Sequence, residues 1–300
     1  MPAGIRRPAV LLLAIVLGIG GCQSSASPSS TLSPAPTDSA LPSALVPPSL
    51  VPTSEPIPTP SPVASGCRAG NRVPAGSAEI INSVPQAGDA MALTFDMGGR
   101  LDPALDIMEF LVANQVCTTL FPTGAMSDTE TGRAVLAIVA AHPELFELGN
   151  HTMHHCNLRD GGLGSPTTAP CQTGGPPDQG FVAAELTDAA AILEDLSGQD
   201  PSPYWRPPYG AYTDVVLSTA AQLGYTKTIL WSMDTIDWRP LEDGGPTAEQ
   251  IATRVVTAPG TGLIILFHLG GYETLDAIRI IVPALRERGV LLTSVSDLLN

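Results

Sequence analysis

Two acids, three histidines and an arginine sit where apolar runs of this chain end, and their types suit the activation of water against a carbonyl. Asp96 closes the segment Thr94-Phe95-Asp96, a carboxylate able to take a proton. His151 and His155 are four residues apart, a spacing that puts two imidazoles on one face of a helical turn and suits a single divalent ion. A metalloprotease helix is excluded, because Thr152 stands where that motif needs Glu. Arg206 begins Arg206-Pro207-Pro208-Tyr209, Asp237 and Trp238 end Asp234-Thr235-Ile236-Asp237-Trp238, and His268 follows Leu266-Phe267.

Such residues act together only if the fold gathers them. The β-rich runs 91–95, 116–121, 145–149, 203–206, 226–231, 263–267 and 290–294 alternate with helical patterns at 103–114, 129–141, 180–196, 213–223, 247–257 and 274–288. That alternation predicts an α/β architecture with parallel strands, and seven candidate strands favour a barrel over an open sheet. In a β/α barrel the loops after the strands converge on one face, which brings the five polar segments into one pocket. No glycine-rich phosphate loop follows a strand, so a nucleotide site is not expected.

The ordered set TFD, H[ST]xxH, RxPY, DxxDW and LxH, spread over about residues 88–299, resembles the polysaccharide deacetylases, the NodB homology family also called carbohydrate esterase family four. The resemblance implies a distorted (β/α)7 barrel that removes N-acetyl groups from a GlcNAc-type polysaccharide, such as peptidoglycan or a chitin-like glycan. It implies one divalent metal ion, zinc by preference, held by His151 and His155. Asp96 becomes the general base, oriented by Arg206, and the backbone N–H of Tyr209 faces the developing oxyanion. His268 becomes the general acid, held by Asp237, while Trp238 and Leu266 wall the acetyl pocket. His154 is expected to be a neighbour of the site and His142 a surface residue.

One departure touches the metal. The family pattern continues TFDD, with the second Asp as third ligand, and Met97 stands there instead. A thioether is a poor substitute for a carboxylate on such an ion. Asp96 itself and Asp102 are the acids that remain to approach it. This departure motivates an alternative, a catalytically silent glycan-binding lipoprotein. A related deacetylase or amidohydrolase acting on acetylated xylan or a small molecule is the other.

A second departure is the Gly-, Pro- and Thr-rich stretch from Cys156 to Gly180, expected to shape the substrate groove. Four cysteines remain after Cys22, and in an exported chain they predict disulfides. Three pairings are possible; Cys156 with Cys171 and Cys67 with Cys117 are preferred.

Residues 1–22 read as a signal peptide: Arg6 and Arg7, an apolar run from Ala9 to Ile19, then Gly20-Gly21-Cys22, which resembles a bacterial lipobox. The run is short for a permanent span, which needs about 20 apolar residues. Residues 23–66 are a Pro/Ser/Thr-rich linker expected to be disordered, and residues 67–300 form the enzymatic domain. The expected location is therefore the outer face of the bacterial membrane, tethered through lipid on Cys22. With 14 Lys+Arg against 29 Asp+Glu, the net charge of -15 offers no footprint for nucleic acid, and the expected partner is an N-acetylated glycan.

Overall fold

The computed structural model describes residues 76–165 and 168–300, all within a compact unit that spans Thr59–Asn300. The expected signal peptide, Cys22 and the linker lie outside the described residues. The strands are β1 (Glu79–Ile81), β2 (Ala90–Met97), β3 (Thr118–Pro122), β4 (Phe146–Leu148), β5 (Tyr204–Trp205), β6 (Lys227–Ile229), β7 (Met233–Asp234), β8 (Leu263–His268) and β9 (Leu291–Leu292). The helices are α1 (Ala104–Ala113), α2 (Gly124–Ser127), α3 (Glu130–Ala141), α4 (Gln179–Ser197), α5 (Asp214–Gln222), α6 (Ala248–Val256), α7 (Thr274–Glu287) and α8 (Val295–Leu299).

Every strand pairing is parallel. One sheet runs β1-β6-β5 and the other β4-β3-β2-β8-β7, with β9 also on β2. The protein is thus an α/β fold of two parallel sheets. The described residues hold two strands more than the seven apolar runs suggest. β7 is only Met233–Asp234 and half-buried, and β1 carries a polar residue among its three, so neither leaves an apolar run to detect.

Parallel strands covered on both faces should be apolar almost throughout, and β2 is. Its alternation sorts side chains by role. Met91, Leu93, Phe95 and Met97 enter the main core, which includes Ile251, Ile278 and Ile281 from α6 and α7. Ala92 joins a second cluster with Phe121, Tyr204 and Ile264, and Thr94 and Asp96 share its face of the strand. Helix starts are fixed by side chains that accept a backbone N–H: Thr129 for α3, Asp178 for α4, Thr213 for α5 and Thr247 for α6. Each such cap contributes about 1 kcal/mol.

Asn150 joins the two sheets. It forms a parallel bridge with Trp205, its N–H donates to Tyr204 O at 3.0 Å and its carbonyl accepts the Arg206 N–H at 2.8 Å. Its buried side chain donates to Leu186 O and Tyr225 Oη, both at 2.9 Å, and accepts the Thr152 N–H at 2.8 Å. Asn150 therefore ties the chain just after β4 to β5 and Arg206 through its main chain, and to the start of the histidine segment through its side chain.

Candidate active site

The strand ends open on a cavity of about 590 Å³ whose lining includes Asp96, His155, Tyr209, Trp238, Leu266 and His268. Two strand ends supply its floor, and a third stands behind them. Asp96 on β2 and His268 on β8 are Cα partners in the parallel register, so their side chains leave the same face of the sheet. Arg206, just after β5, arrives from the other sheet.

Arg206 is fully buried and its donors are almost all occupied. It meets Asp96 Oδ1 at 2.6 Å, Thr94 Oγ1 at 3.0 Å, Ile229 O at 3.0 Å and Leu230 O at 3.2 Å. The guanidinium also lies 4.1 Å from the centre of the Phe121 ring. Burial by itself would raise the Asp96 carboxyl, but Arg206, then His151 and His268, outweigh it and hold the group below its usual range. Asp96 is a carboxylate kept charged and pinned by one oxygen, with Oδ2 free to act.

His151 and His155 are brought together with ring centres 4.9 Å apart, but not by a helical turn as their spacing suggests. The segment is a loop in which Thr152 and His155 adopt φ of 68° and 57°. A β-branched residue at positive φ is uncommon, and here other bonds over-determine it. Gly124 and Ala125 donate their N–H groups to the Thr152 and Met153 carbonyls, and Asn150 holds the Thr152 N–H. His154 is tied to buried Glu185 through its ring Nδ1 at 2.6 Å and its N–H at 2.8 Å.

The tautomer of His151 follows from its partner. Its Nδ1 lies 2.7 Å from Arg206 O, and a carbonyl only accepts, so the proton is on Nδ1. Nε2 is then a buried lone pair with no hydrogen-bond partner among the described residues, 3.4 Å from Asp96 Oδ2. Burial, opposed by the Asp96 charge, pushes the His151 pKa down, and burial followed by repulsion from His151 takes His155 down to about 3. Two neutral imidazoles beside a carboxylate have the donor chemistry of a divalent metal site. The ring of His155 also needs Gly98: a Cβ there would lie 2.3 Å from its Cδ2.

The remaining pair is Asp237 and His268. Asp237 is buried and its Oδ1 lies 2.7 Å from His268 Nδ1, while Oδ2 accepts the His268 N–H at 2.8 Å and the Thr274 hydroxyl. Burial disfavours the charged imidazole, yet the Asp237 charge and hydrogen bond overcome it, and the His268 pKa is raised. With Nδ1 on Asp237, the proton that the imidazole gains or loses is the one on Nε2.

Position 97 does not behave as the family pattern suggests. Met97 is 1% exposed, packed in the main apolar core on the face of β2 opposite Asp96. Strand alternation is the reason: consecutive residues point to opposite sides, and Asp96 takes the cavity side. Asp102 is also removed from the site, being 82% exposed and paired with Arg100 at 2.5 Å. Among the described residues no group of three or more His, Cys, Asp or Glu is arranged around a metal position, so two imidazoles with Asp96 nearby are what the chain offers.

The family model for polysaccharide deacetylase matches residues 83–228. Over that stretch the chain is similar to the polysaccharide deacetylases. The peptidoglycan-N-acetylglucosamine deacetylase of Bacillus cereus is 28% identical over 229 residues, covering 72% of this chain and 91% of that protein. The chitooligosaccharide deacetylase of Azorhizobium caulinodans is 25% identical over 223 residues, covering 70% and 94%. The crystal structure of BA3943, a CE4 family pseudoenzyme from Bacillus anthracis, superposes with a TM-score of 0.60 at 22% identity, covering 75% of this chain and 70% of that one. That last likeness concerns the fold alone.

The fold also brings side chains to its cavity that the motifs did not single out: Arg100, Trp231, Ser165 and Tyr272. Arg100, Trp231 and Tyr272 lie just after strands, and that position was the available signal; Ser165 lies in the loop between Cys156 and Cys171. Tyr272 and Trp238, both 45% exposed, carry Arg100 and Arg239 over their rings. The stretch after the histidines is closed by a disulfide between Cys156 and Cys171, and its Gly164 and Ser165 line the cavity. Cys117 is also disulfide-bonded; Cys67, its expected partner, lies outside the described residues.

Proposed function

We propose that this protein hydrolyses N-acetyl groups on a GlcNAc-type polysaccharide at the cell surface, with a divalent ion, zinc by preference, held by His151 and His155. The observation that carries the reading is the Asp96 carboxylate, pinned by Arg206 at 2.6 Å, in register with His268 on the neighbouring strand, whose imidazole is held by Asp237 at 2.7 Å. A binding protein would need neither a base nor an acid so arranged. The similarity to deacetylases of peptidoglycan and of chitooligosaccharides supports the substrate class.

When bound, the ion polarises the acetyl carbonyl and makes water more acidic. Asp96 Oδ2 accepts the proton that water loses as it attacks. The Tyr209 N–H, presented from a tight turn with φ of 60°, donates to the oxygen that gains charge. His268 Nε2 gives its proton to the departing amine, and Asp237 stabilises the imidazole throughout. Leu266 and Trp238 exclude water from the acetyl methyl, and the exposed faces of Trp238 and Tyr272 suit the apolar faces of sugar rings. The two sheets are read as arcs of a distorted (β/α)7 barrel, which the Asn150–Trp205 bridge supports. Residues 1–22 and lipid on Cys22 provide the tether, the linker the reach, and the acidic chain leaves nucleic acid aside.

The test is acetate release from GlcNAc oligomers and peptidoglycan, with and without a chelator and with zinc restored. Full turnover in a verified metal-free sample would overturn the metal part. No release from any acetylated glycan by the folded protein would leave the silent binding protein as the better reading.

A further inference from the structure

A histidine binds a metal through one nitrogen, and the bond made by the other decides which nitrogen is free. For His151 a backbone carbonyl makes that choice. For His155 the group near Nδ1 is a side chain: the Tyr209 phenol oxygen, 3.1 Å away, with the two rings tilted at 60° and 4.5 Å between centres.

A phenol can donate or accept, so distance alone leaves two arrangements. If Tyr209 donated, His155 would carry its proton on Nε2, where no protein acceptor is found among the described residues. If Tyr209 accepts, Nδ1–H is satisfied and Nε2 is a lone pair. The Gly164 backbone lies on the same cavity wall, and its N–H acts on the phenol oxygen in the sense that favours an acceptor role. Two lone pairs allow it to take both donors.

Gly164 is held in place from behind. Its φ of 121° lies in a region that favours glycine, and a Cβ there would lie 2.5 Å from Cys171 Sγ and 3.0 Å from His154 O. The disulfide therefore packs directly against the residue that fixes the phenol. Ser165 N–H donates to His154 O at 2.8 Å, tying the same loop to the histidine segment.

We infer that Tyr209 is a positioning residue for His155: its phenol oxygen accepts the Nδ1–H, leaves Nε2 free for a metal ion, and is itself held by the disulfide-closed loop through Gly164. This rests on the reading of His151 and His155 as ligands and adds a task for Tyr209 separate from that of its backbone N–H. The segment 206–209 then orients both imidazoles, one through the Arg206 carbonyl and the other through the phenol.

The experiment is done on the full chain, first without metal. Long-range nitrogen–proton NMR of the imidazoles should show His155 with its proton on Nδ1, and in Tyr209→Phe the proton should move substantially to Nε2. Zinc titration of the same samples should show affinity about 10- to 100-fold weaker in Tyr209→Phe. The half-exposed phenol is no core element, and circular dichroism confirms that the variant is folded. A Cys156→Ser/Cys171→Ser variant should weaken zinc binding in the same direction, and adding Tyr209→Phe to it should cost less than in the wild type. An unchanged tautomer and unchanged zinc affinity in Tyr209→Phe would overturn the inference. A wild-type protein with the Nδ1 proton that binds no zinc would instead overturn the metal reading while leaving the Tyr209–His155 bond in place. Additive effects of the two variants would remove the loop from the proposal.

Discussion

Asp96 and His268 are Cα partners on neighbouring parallel strands, so the proposed base and acid are fixed by sheet register and not by loops. A register fixed by the core of β2 and β8 does not drift when a side chain is shortened. Asp96→Asn and His268→Ala should each lower turnover by about 10² to 10⁴ with the fold intact, as expected for loss of a general base or acid. Steady-state acetate release with circular dichroism on the same samples checks this; wild-type turnover in either variant removes that residue from its role.

If His268 is the proposed general acid, its pairing with Asp237 sets the alkaline side of the pH profile. An acid must be protonated, so kcat/KM falls as pH rises through the His268 pKa. Burial pulls that pKa down, but Asp237 lifts it above the ordinary value of about 6.5. In Asp237→Asn burial remains and the lifting charge is gone, so the alkaline limb should move to lower pH. A limb that stays in place would mean that another group titrates.

Met97→Asp restores the acid of the common pattern, but into the apolar core on the far side of the strand. An acid there has no partner, and the variant should lose about 3 kcal/mol or more of stability without gaining zinc affinity. Met97→Leu should change stability by less than about 1.5 kcal/mol. Denaturant unfolding and zinc titration decide; tighter zinc binding by the aspartate variant would mean that residue 97 turns toward the cavity.

Removing the Cys156–Cys171 link opens a loop with a sequence separation of 15 residues. Loop-closure entropy predicts a loss of about 3 kcal/mol, which unfolding of the double serine variant would measure. No loss would mean that the loop is ordered by its other bonds alone.

Much of this was legible in the sequence because strand ends announce themselves. Asp96, Arg206, Asp237 and His268 each follow an apolar run closely, so the fold had few ways to place them. The helices were legible for the same reason, with apolar residues at helical spacing and a Thr or Asp at most starts. The histidine segment was not, because a spacing of four has a helical reading and a loop with two residues at positive φ produces the same proximity. Position 97 was misjudged because a motif is a string, whereas a strand has two faces: adjacency to Asp96 in the chain is what sends Met97 away from the cavity. Arg100 and Tyr272 escaped because their contact joins two loops distant in the chain.

Asn150 has a consequence for how this protein fails. Its main chain bonds Tyr204 and Arg206 and its side chain holds the Thr152 N–H, so separation of the sheets at that point displaces Arg206 and both imidazoles while leaving each sheet its own ladder. Under mild denaturant or heat, acetate release should vanish before the spectroscopic signature of secondary structure does. Activity in this molecule is a gauge of docking, and a preparation that looks folded can be inert for want of one amide.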